Sequence, residues 1–338
     1  MKLKHAGITG NIFNWIKSFL SDRTQKVKVA TSISDECKVL SGIPQGSILG
    51  PVLFLIYIND ICNNLSSSCK LFADDTKIYN TSSNSDILQE DINKLVEWSK
   101  MWQLKFNIDK CKILHIGNTN PRQEYTMNSV PLNTVENEKD IGIIFDSKLN
   151  FDMHISQCSA GARKILGMIS RSFKYLDKDS LRTIITSLIR SKLEYGNVVW
   201  SPIFRRQSIE LEKVQRKATI LLPGCRKLDY ANRLHYLNLP TLKYRRLRRD
   251  LIQTFKFLKK IDNTEQHYFT ISETTNTRNN YLKLTKCFVT NSIRYNFFSQ
   301  RIINHWNSLS QEAKSAKDVN TFKNIIDSEL DELKYVFD

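Results

Sequence analysis

Residues 70–79 read KLFADDTKIY, with two β-prone ends around the adjacent acids Asp74 and Asp75. The pattern predicts a β-hairpin with the two aspartates at its tip, because Asp is a favoured turn residue. The acidic pair has two interpretations. It is either an ordinary turn or a divalent-metal site, since Mg²⁺ takes hard oxygen ligands and is commonly held by one or two carboxylates plus substrate phosphates.

The segments on either side of the hairpin alternate between helix and strand. Upstream, the Gly/Pro-punctuated loop SGIPQGS at residues 41–47 opens onto an apolar helix over residues 48–61. Backbone amides at such a junction suit a negatively charged group. Downstream, residues 86–102 have the period of an amphipathic helix, whereas residues 111–116 and 139–145 (KDIGIIF) are typical of short strands. The alternation predicts a compact α+β sheet domain.

The second half of the chain has a different pattern, in which helical periodicity dominates. Helices are predicted over residues 154–173, 179–195, 208–222 and 242–261. We therefore expect an α+β domain over residues 1–150, a basic helical domain over 151–262 and a C-terminal accessory segment over 263–338. The polar stretch at 263–280 is expected to be a linker or surface loop.

Positive charge is concentrated in the same helical half. The chain has a net charge of +16, but residues 1–150 contain 17 basic and 16 acidic side chains, against 33 and 18 in residues 151–338. An excess confined to one half favours a polyanionic partner bound through its phosphates. The alternative is a solubilising surface, which would not need such asymmetry.

Cysteine spacing and hydropathy indicate in which cellular environment the protein works. The seven cysteines are scattered, without the C-x₂₋₄-C spacing of a zinc site, which favours reduced thiols in packing positions. The longest apolar run, Val52 to Ile58, is too short to span a bilayer. We therefore expect a soluble intracellular protein that works in the nucleus, the cytoplasm or both, without a membrane partner.

The ordered set of motifs resembles a known family. SGIPQGSILGPVLFLIYINDI, LFADDTKIY, WQLKFNIDKCKILHIG and KDIGIIF are similar to reverse transcriptases of non-LTR retrotransposons, the LINE-type and especially jockey-like elements. LEYGNVVWSP and LPTLKYRRLRRDLIQTFKFL resemble the downstream region of the same family. The resemblance implies an α+β fold in which a partial right-hand polymerase palm is followed by a mostly α-helical thumb and C-terminal region.

The resemblance also implies an activity and its partners. The chain would be an RNA-directed DNA polymerase module, a nucleotidyltransferase that uses an RNA template, a DNA primer and deoxynucleoside triphosphates. Asp74 would be a metal-ligating carboxylate and Asp75 its supporting neighbour. Two Mg²⁺ ions (or Mn²⁺), about 3.5–4 Å apart, would activate a 3′-hydroxyl and stabilise the leaving pyrophosphate.

Three further groups of residues take roles from the resemblance. Pro44, Gln45 and Gly46 would line the floor under the templating base and the incoming nucleotide. Lys110 resembles a lysine that approaches the triphosphate and can donate a proton to pyrophosphate; it is alternatively a solvated turn lysine. The turn at Ile141-Gly142 resembles the primer grip, where the family more often has Leu before Gly, and its alternative is an ordinary buried strand.

The basic half would supply the contacts to the nucleic-acid backbone. The cluster predicted to do so consists of Tyr244, Arg245, Arg246, Arg248 and Arg249, with Tyr244 as a stacking face. Each arginine taken singly has the alternative of a solvated surface charge.

One expected feature has no counterpart in the sequence. The resemblance implies a first catalytic aspartate on a strand upstream of residues 41–47, yet the acids there are Asp22, Asp35 and Glu36, which follow a helix or lie at a turn. We expect a fragment that begins after that aspartate, a degenerate copy or an incomplete gene model, and in each case a chain that does not polymerise processively on its own. The alternatives are a nucleic-acid-binding protein that has lost catalysis and a plain helical interaction protein. Oligomeric state is not predicted.

Overall fold

The computed structural model describes residues 1–262, 264, 268–272 and 282–337, so most of the linker expected at 263–280 lies outside the described residues. The chain divides into two compact units. The first contains Met1–His115 and Thr119–Val135, and the second contains Ile116–Asn118 and Glu136–Asp338. About half of the structure is helical, and its strands form small two-stranded ladders, consistent with the predicted α+β class. The domain limits at 150 and 262 stay predictions.

The first unit is built from short strands and four helices within its described residues. In chain order these are α1 Lys2–His5, α2 Gly10–Leu20, β1 Thr24–Gln25, β2 Lys28–Val29, β3 Ser32–Ile33, β4 Cys37–Lys38, α3 Leu49–Ile58, β5 Ser68–Phe72, β6 Asp75–Tyr79, α4 Ser85–Trp102, β7 Lys112–Leu114, β8 Thr126–Met127, β9 Val130–Pro131 and β10 Asn133–Val135. The hairpin predicted at residues 70–79 is formed by β5 and β6, which pair antiparallel. The strand predicted at 111–116 is β7, and it pairs in parallel with β10.

Helix α4 organises the core of this unit through its apolar face. Ile92 and Val96 are buried in a cluster with Tyr125 and Met127, and Leu95 belongs to a second cluster beside the end of α3. Burial of such side chains contributes about 1.5–3 kcal/mol each relative to exposure. The helix ends where Gln103 takes a left-handed conformation at φ 54°, a common way to terminate an α-helix.

A disulfide joins Cys62, just after α3, to Cys69 on β5. The expectation of reduced thiols throughout is wrong for this pair, because the turn between the two elements brings together cysteines that are separated by seven residues. The other five thiols are free; Cys225 is buried, whereas Cys37 and Cys287 are exposed.

The second unit is mainly helical. Its described elements are β11 Asn137–Asp140, β12 Ile143–Asp146, α5 Asp152–Ser172, α6 Lys178–Ile184, a π-helical turn Ile185–Ile189, α7 Arg190–Glu194, α8 Arg205–Thr219, α9 Tyr230–Leu237, α10 Leu242–Leu258, α11 Ser292–Asn296, α12 Phe298–Arg301, α13 Ile303–Ser308, α14 Gln311–Ser315 and α15 Val319–Glu329. The four predicted helices are present, with the second divided by the π-helical turn. The KDIGIIF segment is not one strand, as predicted, but parts of β11 and β12 with a turn between them.

Two buried apolar clusters stabilise the second unit. One surrounds Trp200, which is fully buried, and joins β12 to helices α5 to α9. The other surrounds Trp306 and Phe322 and joins α10 to the C-terminal helices. No helix in the described part of the chain has the length and apolar character that crossing a membrane requires.

Candidate active site and basic groove

The acidic pair lies at the tip of the β5–β6 hairpin. Phe72 pairs with Asp75, which leaves Ala73 and Asp74 as a two-residue turn. Ala73 has φ 52°, a left-handed conformation that costs an L-residue about 1–2 kcal/mol. Asp74 and Asp75 are both exposed, and no hydrogen bond or ion pair within the described residues engages their carboxylates. The hairpin therefore presents hard oxygen ligands of the kind that Mg²⁺ binds.

The base of this hairpin is held by a buried carboxylate that the sequence analysis missed. Asp91 on α4 accepts hydrogen bonds from the amides of Ser66 (3.1 Å) and Ser67 (2.6 Å), just before β5 begins. Lys94 pairs with the same carboxylate at 2.9 Å. Burial by itself would raise the pKa of Asp91, but the hydrogen bonds from Lys94, Ser67 and Ser66 outweigh it and lower the pKa to about 2. Asp91 thus fixes where the acidic hairpin starts.

The predicted template floor lies in the loop that precedes α3. Ser47, another residue missed from sequence, bonds this loop together, because its hydroxyl donates to the Pro44 carbonyl (2.8 Å) and accepts the Gly50 amide (3.0 Å). One of the amides expected to be free at this junction is therefore occupied. Gly46 has φ 79°, and a Cβ added there would meet nothing within 4 Å, so the turn itself requires glycine at this position. Gln45 is exposed.

Lys110 ends a 3₁₀ turn, Ile108–Lys110, that comes just before β7. Its side chain is exposed. This position is compatible both with a triphosphate contact and with a solvated turn lysine, so its role stays a prediction.

The predicted primer-grip turn belongs to the second unit. Ile141 and Gly142 form the two-residue turn of the β11–β12 hairpin, at φ 45° and 81°. The Tyr195 hydroxyl donates to the Ile141 carbonyl at 3.0 Å, and a Cβ on Gly142 would lie 3.1 Å from the Tyr195 ring. Tyr195 therefore clamps this turn. Tyr195 was not identified from the sequence, and the one feature that could have pointed to it is its place in the LEYGNVVWSP motif.

The predicted backbone-binding arginines lie on α10, where three of them pair with carboxylates of the same unit. Arg245 and Arg249 both bond Glu194, which is 4% exposed. Arg248 donates to Asp327 at 2.7 Å through Nη2. Part of the positive charge counted in the sequence is therefore neutralised inside the fold.

Tyr244 and Arg246 are buried. Tyr244 is 3% exposed and its hydroxyl donates to Asp327 at 2.9 Å, so the ring offers no face on which a base could stack. Burial raises the pKa of Tyr244 and lowers the pKa of the Arg246 guanidinium, which donates to Ser208 at 3.2 Å. In this structure both side chains serve packing.

The remaining arginines share one exposed groove. A cavity of about 280 Å³ is lined by Arg245, Arg248, Arg249, Ile252, Gln253 and Lys256. Their spacing places them on one face of α10. We call this cavity the basic groove.

Comparison with known proteins identifies the family. A family model described as reverse transcriptase (RNA-dependent DNA polymerase) matches residues 1–176. The chain belongs to this family. The matched part contains the acidic hairpin, the loop at residues 44–46, Lys110 and the turn at Ile141-Gly142.

Relatives from transposons agree with the family model. The chain is 26% identical over 228 residues to the probable RNA-directed DNA polymerase from transposon X-element of Drosophila melanogaster, covering 63% of this chain and 25% of that protein. It is 26% identical over 225 residues to the RNA-directed DNA polymerase from mobile element jockey of the same species, covering 62% and 25%. The chain thus spans about a quarter of these relatives. The predicted resemblance to jockey-like reverse transcriptases is confirmed.

Proposed function

We propose that this reverse transcriptase chain is a module for RNA-directed DNA synthesis, in which Asp74 and Asp75 supply carboxylates for nucleotidyl transfer. The observation that carries the proposal is the bare acidic tip of the β5–β6 hairpin inside the family match. Its substrates would be an RNA template, a DNA primer and deoxynucleoside triphosphates, as the names of the relatives suggest. In the terms used for right-hand polymerases, residues 1–150 would form part of the palm and residues 151–262 a thumb.

The residues at the tip fit a divalent ion. Mg²⁺ prefers carboxylate and phosphate oxygens, and both tip carboxylates are exposed. When bound, two such ions would activate the primer hydroxyl and stabilise the pyrophosphate. The chain's own contribution is to hold the carboxylates on a hairpin anchored by Asp91. Within the described residues no group of three or more His, Cys, Asp or Glu side chains is arranged to hold a metal.

Other residues would bind and orient the substrates. Pro44, Gln45 and Gly46 would lie under the templating base, and Lys110 would approach the triphosphate. The turn at Ile141-Gly142, clamped by Tyr195, would contact the primer. A polymerase of this type needs a further carboxylate from a separate strand, so we propose that the isolated chain binds metal weakly and does not extend a primer processively.

Metal binding by the full chain tests the role of the hairpin. Mn²⁺, counted by electron paramagnetic resonance, should bind the wild-type chain, and Asp74→Asn should weaken binding about tenfold, the effect of losing one charge-assisted contact of about 1.4 kcal/mol. Asp22→Asn, another exposed aspartate of the first unit, is the matched control and should bind like wild type. Equal binding by Asp74→Asn and wild type would contradict the assignment.

Primer extension on an RNA template with Mg²⁺ tests two parts of the proposal separately: the role of Asp74 in DNA synthesis and the lack of processive extension by the isolated chain. We expect no processive product from the isolated chain. Products that vanish in Asp74→Asn would support the polymerase role and refute the proposed lack of processive extension. Products that persist in Asp74→Asn would show that another site performs the chemistry.

The basic groove favours a second candidate, a nucleic-acid-binding protein without catalysis. Four cations line the groove, and each also pairs with a carboxylate of the same unit, so a phosphate would compete with Glu194, Asp327 and Asp262 for them. Primer–template bound through these cations would be released as the salt concentration rises. Anisotropy measurements on the same samples would show this dependence. Steep salt dependence without Mn²⁺ binding at Asp74 would favour this candidate over the polymerase module.

A further inference from the structure

The ammonium of Lys2 is enclosed by aromatic rings and oxygen atoms. Its Nζ lies 3.8 Å from the ring centroid of Trp102, 4.6 Å from that of Trp98 and 4.8 Å from that of Tyr57. The same nitrogen donates to the Tyr57 carbonyl at 2.5 Å and to Asp60 Oδ1 at 2.6 Å. Only 12% of the Lys2 side chain is exposed. We call Tyr57, Asp60, Trp98 and Trp102 the ammonium cage.

The cage is assembled by elements other than the one that carries Lys2. Tyr57 lies in the last turn of α3, and Asp60 follows that helix, whereas Trp98 and Trp102 are one turn apart on α4. Two hydrogen bonds connect these elements directly. The Trp98 indole donates to Asp60 Oδ1 at 3.0 Å, and the Tyr57 hydroxyl donates to the Trp102 carbonyl. The walls of the cage are therefore fixed to one another without Lys2.

Apart from the contacts of its side chain, Lys2 has little to fix it in place. Helix α1 has four residues and buries none of them. The other lysine of this helix, Lys4, is exposed and lies 5.3 Å from the Phe13 ring. The cage is thus the principal attachment of α1, and its occupant can be exchanged without unfolding a buried segment.

The acceptors in the cage determine which cation fits. Ring faces attract any ammonium, and aromatic cages are best known for quaternary ones. Here, however, the carbonyl of Tyr57 and the carboxylate of Asp60 both receive N–H donors from the ion. A trimethylated ammonium has no N–H group, so it would leave the half-buried Tyr57 carbonyl without that partner. The two hydrogen-bond acceptors therefore favour a primary ammonium over a quaternary one.

We propose that the ammonium cage is a binding site for primary alkylammonium ions, the head group of an unmethylated lysine side chain. Lys2 is its ligand in this chain, and a lysine side chain or a free alkylamine occupies it when Lys2 is absent. Because α3 follows the loop at residues 44–46 and α4 follows the acidic hairpin, occupancy stiffens two elements next to the candidate active site. The inference does not depend on polymerase activity.

Chemical rescue of Lys2→Ala in the full chain tests the site. The variant should unfold at a lower temperature than wild type, and n-butylammonium chloride should raise its unfolding temperature towards the wild-type value. Wild type should respond no more than it does to sodium chloride. Lys4→Ala, the matched control on the same helix, should show no rescue. If Lys2→Ala does not fold, refolding in n-butylammonium should recover it.

Two comparisons make the result decisive. Butyltrimethylammonium should bind Lys2→Ala about tenfold more weakly than n-butylammonium, because it cannot donate to the two acceptors. The double variant Lys2→Ala/Trp102→Ala should not respond to n-butylammonium. Absence of rescue in Lys2→Ala, or equal rescue by the quaternary ion, would overturn the proposal.

Discussion

The two hairpins that carry predicted site residues have similar turns and different supports. In each, two residues connect the strands, and the first is a non-glycine residue with positive φ: Ala73 at 52° and Ile141 at 45°. The β11–β12 turn is fixed at its tip, where Tyr195 bonds the Ile141 carbonyl. The β5–β6 turn has no such clamp among the described residues and exposes Asp74.

The acidic hairpin is instead supported at its base. Asp91 binds the amides of Ser66 and Ser67 and so fixes the residues that lead into β5. A support at the base leaves the tip carboxylates free to bind a cation, whereas a clamp at the tip fixes the backbone of the turn. The location of the support therefore matches the kind of contact that each hairpin is proposed to make.

Removing the basal support should have the largest effect. Asp91→Asn keeps the shape of the side chain but loses the charge that two amides and Lys94 bind, and we expect it to lower the free energy of unfolding by about 2–3 kcal/mol. Urea unfolding at pH 7 would measure the loss, with hydrogen exchange of the Ser66 and Ser67 amides as a local readout. Glu90→Gln, at an exposed position of the same helix, should change little.

The same variant has a defined pH signature. The folded-state pKa of Asp91, about 2, lies below its ordinary value of 3.8, so its contribution is present above pH 4 and is lost as the pH falls towards 2. A shift of that size corresponds to about 2 kcal/mol. The difference between wild type and Asp91→Asn should therefore shrink across this pH window. A difference that stayed constant down to pH 2 would contradict the role of the carboxylate charge.

Local patterns in the sequence predict the strands of the hairpins better than they predict Asp91 and Tyr195, the residues that hold the hairpins in place. KLFADDTKIY alternates around a turn, so the acidic hairpin can be predicted. The local pattern of KDIGIIF predicts one strand because isoleucine is not a turn residue. In the structure Ile141 has positive φ in a turn, and the Tyr195 hydroxyl donates to its carbonyl. Tyr195 is 54 positions away along the chain.

Ion pairs between residues far apart in the chain also limit how well the charge pattern of the sequence predicts a nucleic-acid-binding surface. The sequence identifies the arginines of α10 as one cluster, but nothing in it indicates that Glu194 binds Arg245 from 51 positions away. Asp91 likewise follows the pattern of an ordinary helical acid, although its side chain is fully buried. Supports and ion pairs depend on tertiary contacts, which local periodicity does not contain.

Releasing the clamp on the second hairpin should have a smaller effect. Tyr195→Phe removes the hydrogen bond to the Ile141 carbonyl and keeps the ring beside Gly142, so we expect a loss of about 1 kcal/mol. Thermal unfolding would measure it, and faster exchange of the Gly142 amide would localise it. Tyr175→Phe, at a tyrosine that is 93% exposed, is the matched control. An unchanged exchange rate at Gly142 would mean that Tyr195 does not hold the turn.

Relaxing the turn of the acidic hairpin should have the smallest effect, in the opposite direction. Ala73→Gly removes the cost of placing a Cβ at φ 52°, which exceeds the added flexibility of glycine in the unfolded chain, so stability should rise by about 0.5 kcal/mol. Ala160→Gly, at an exposed position inside α5, is the control and should lower stability by about 1 kcal/mol. Urea unfolding of both variants would show whether the free energy of unfolding rises in Ala73→Gly and falls in Ala160→Gly. Destabilisation by Ala73→Gly would mean that the alanine methyl makes a favourable contact, and the unclamped tip would then have a support of its own.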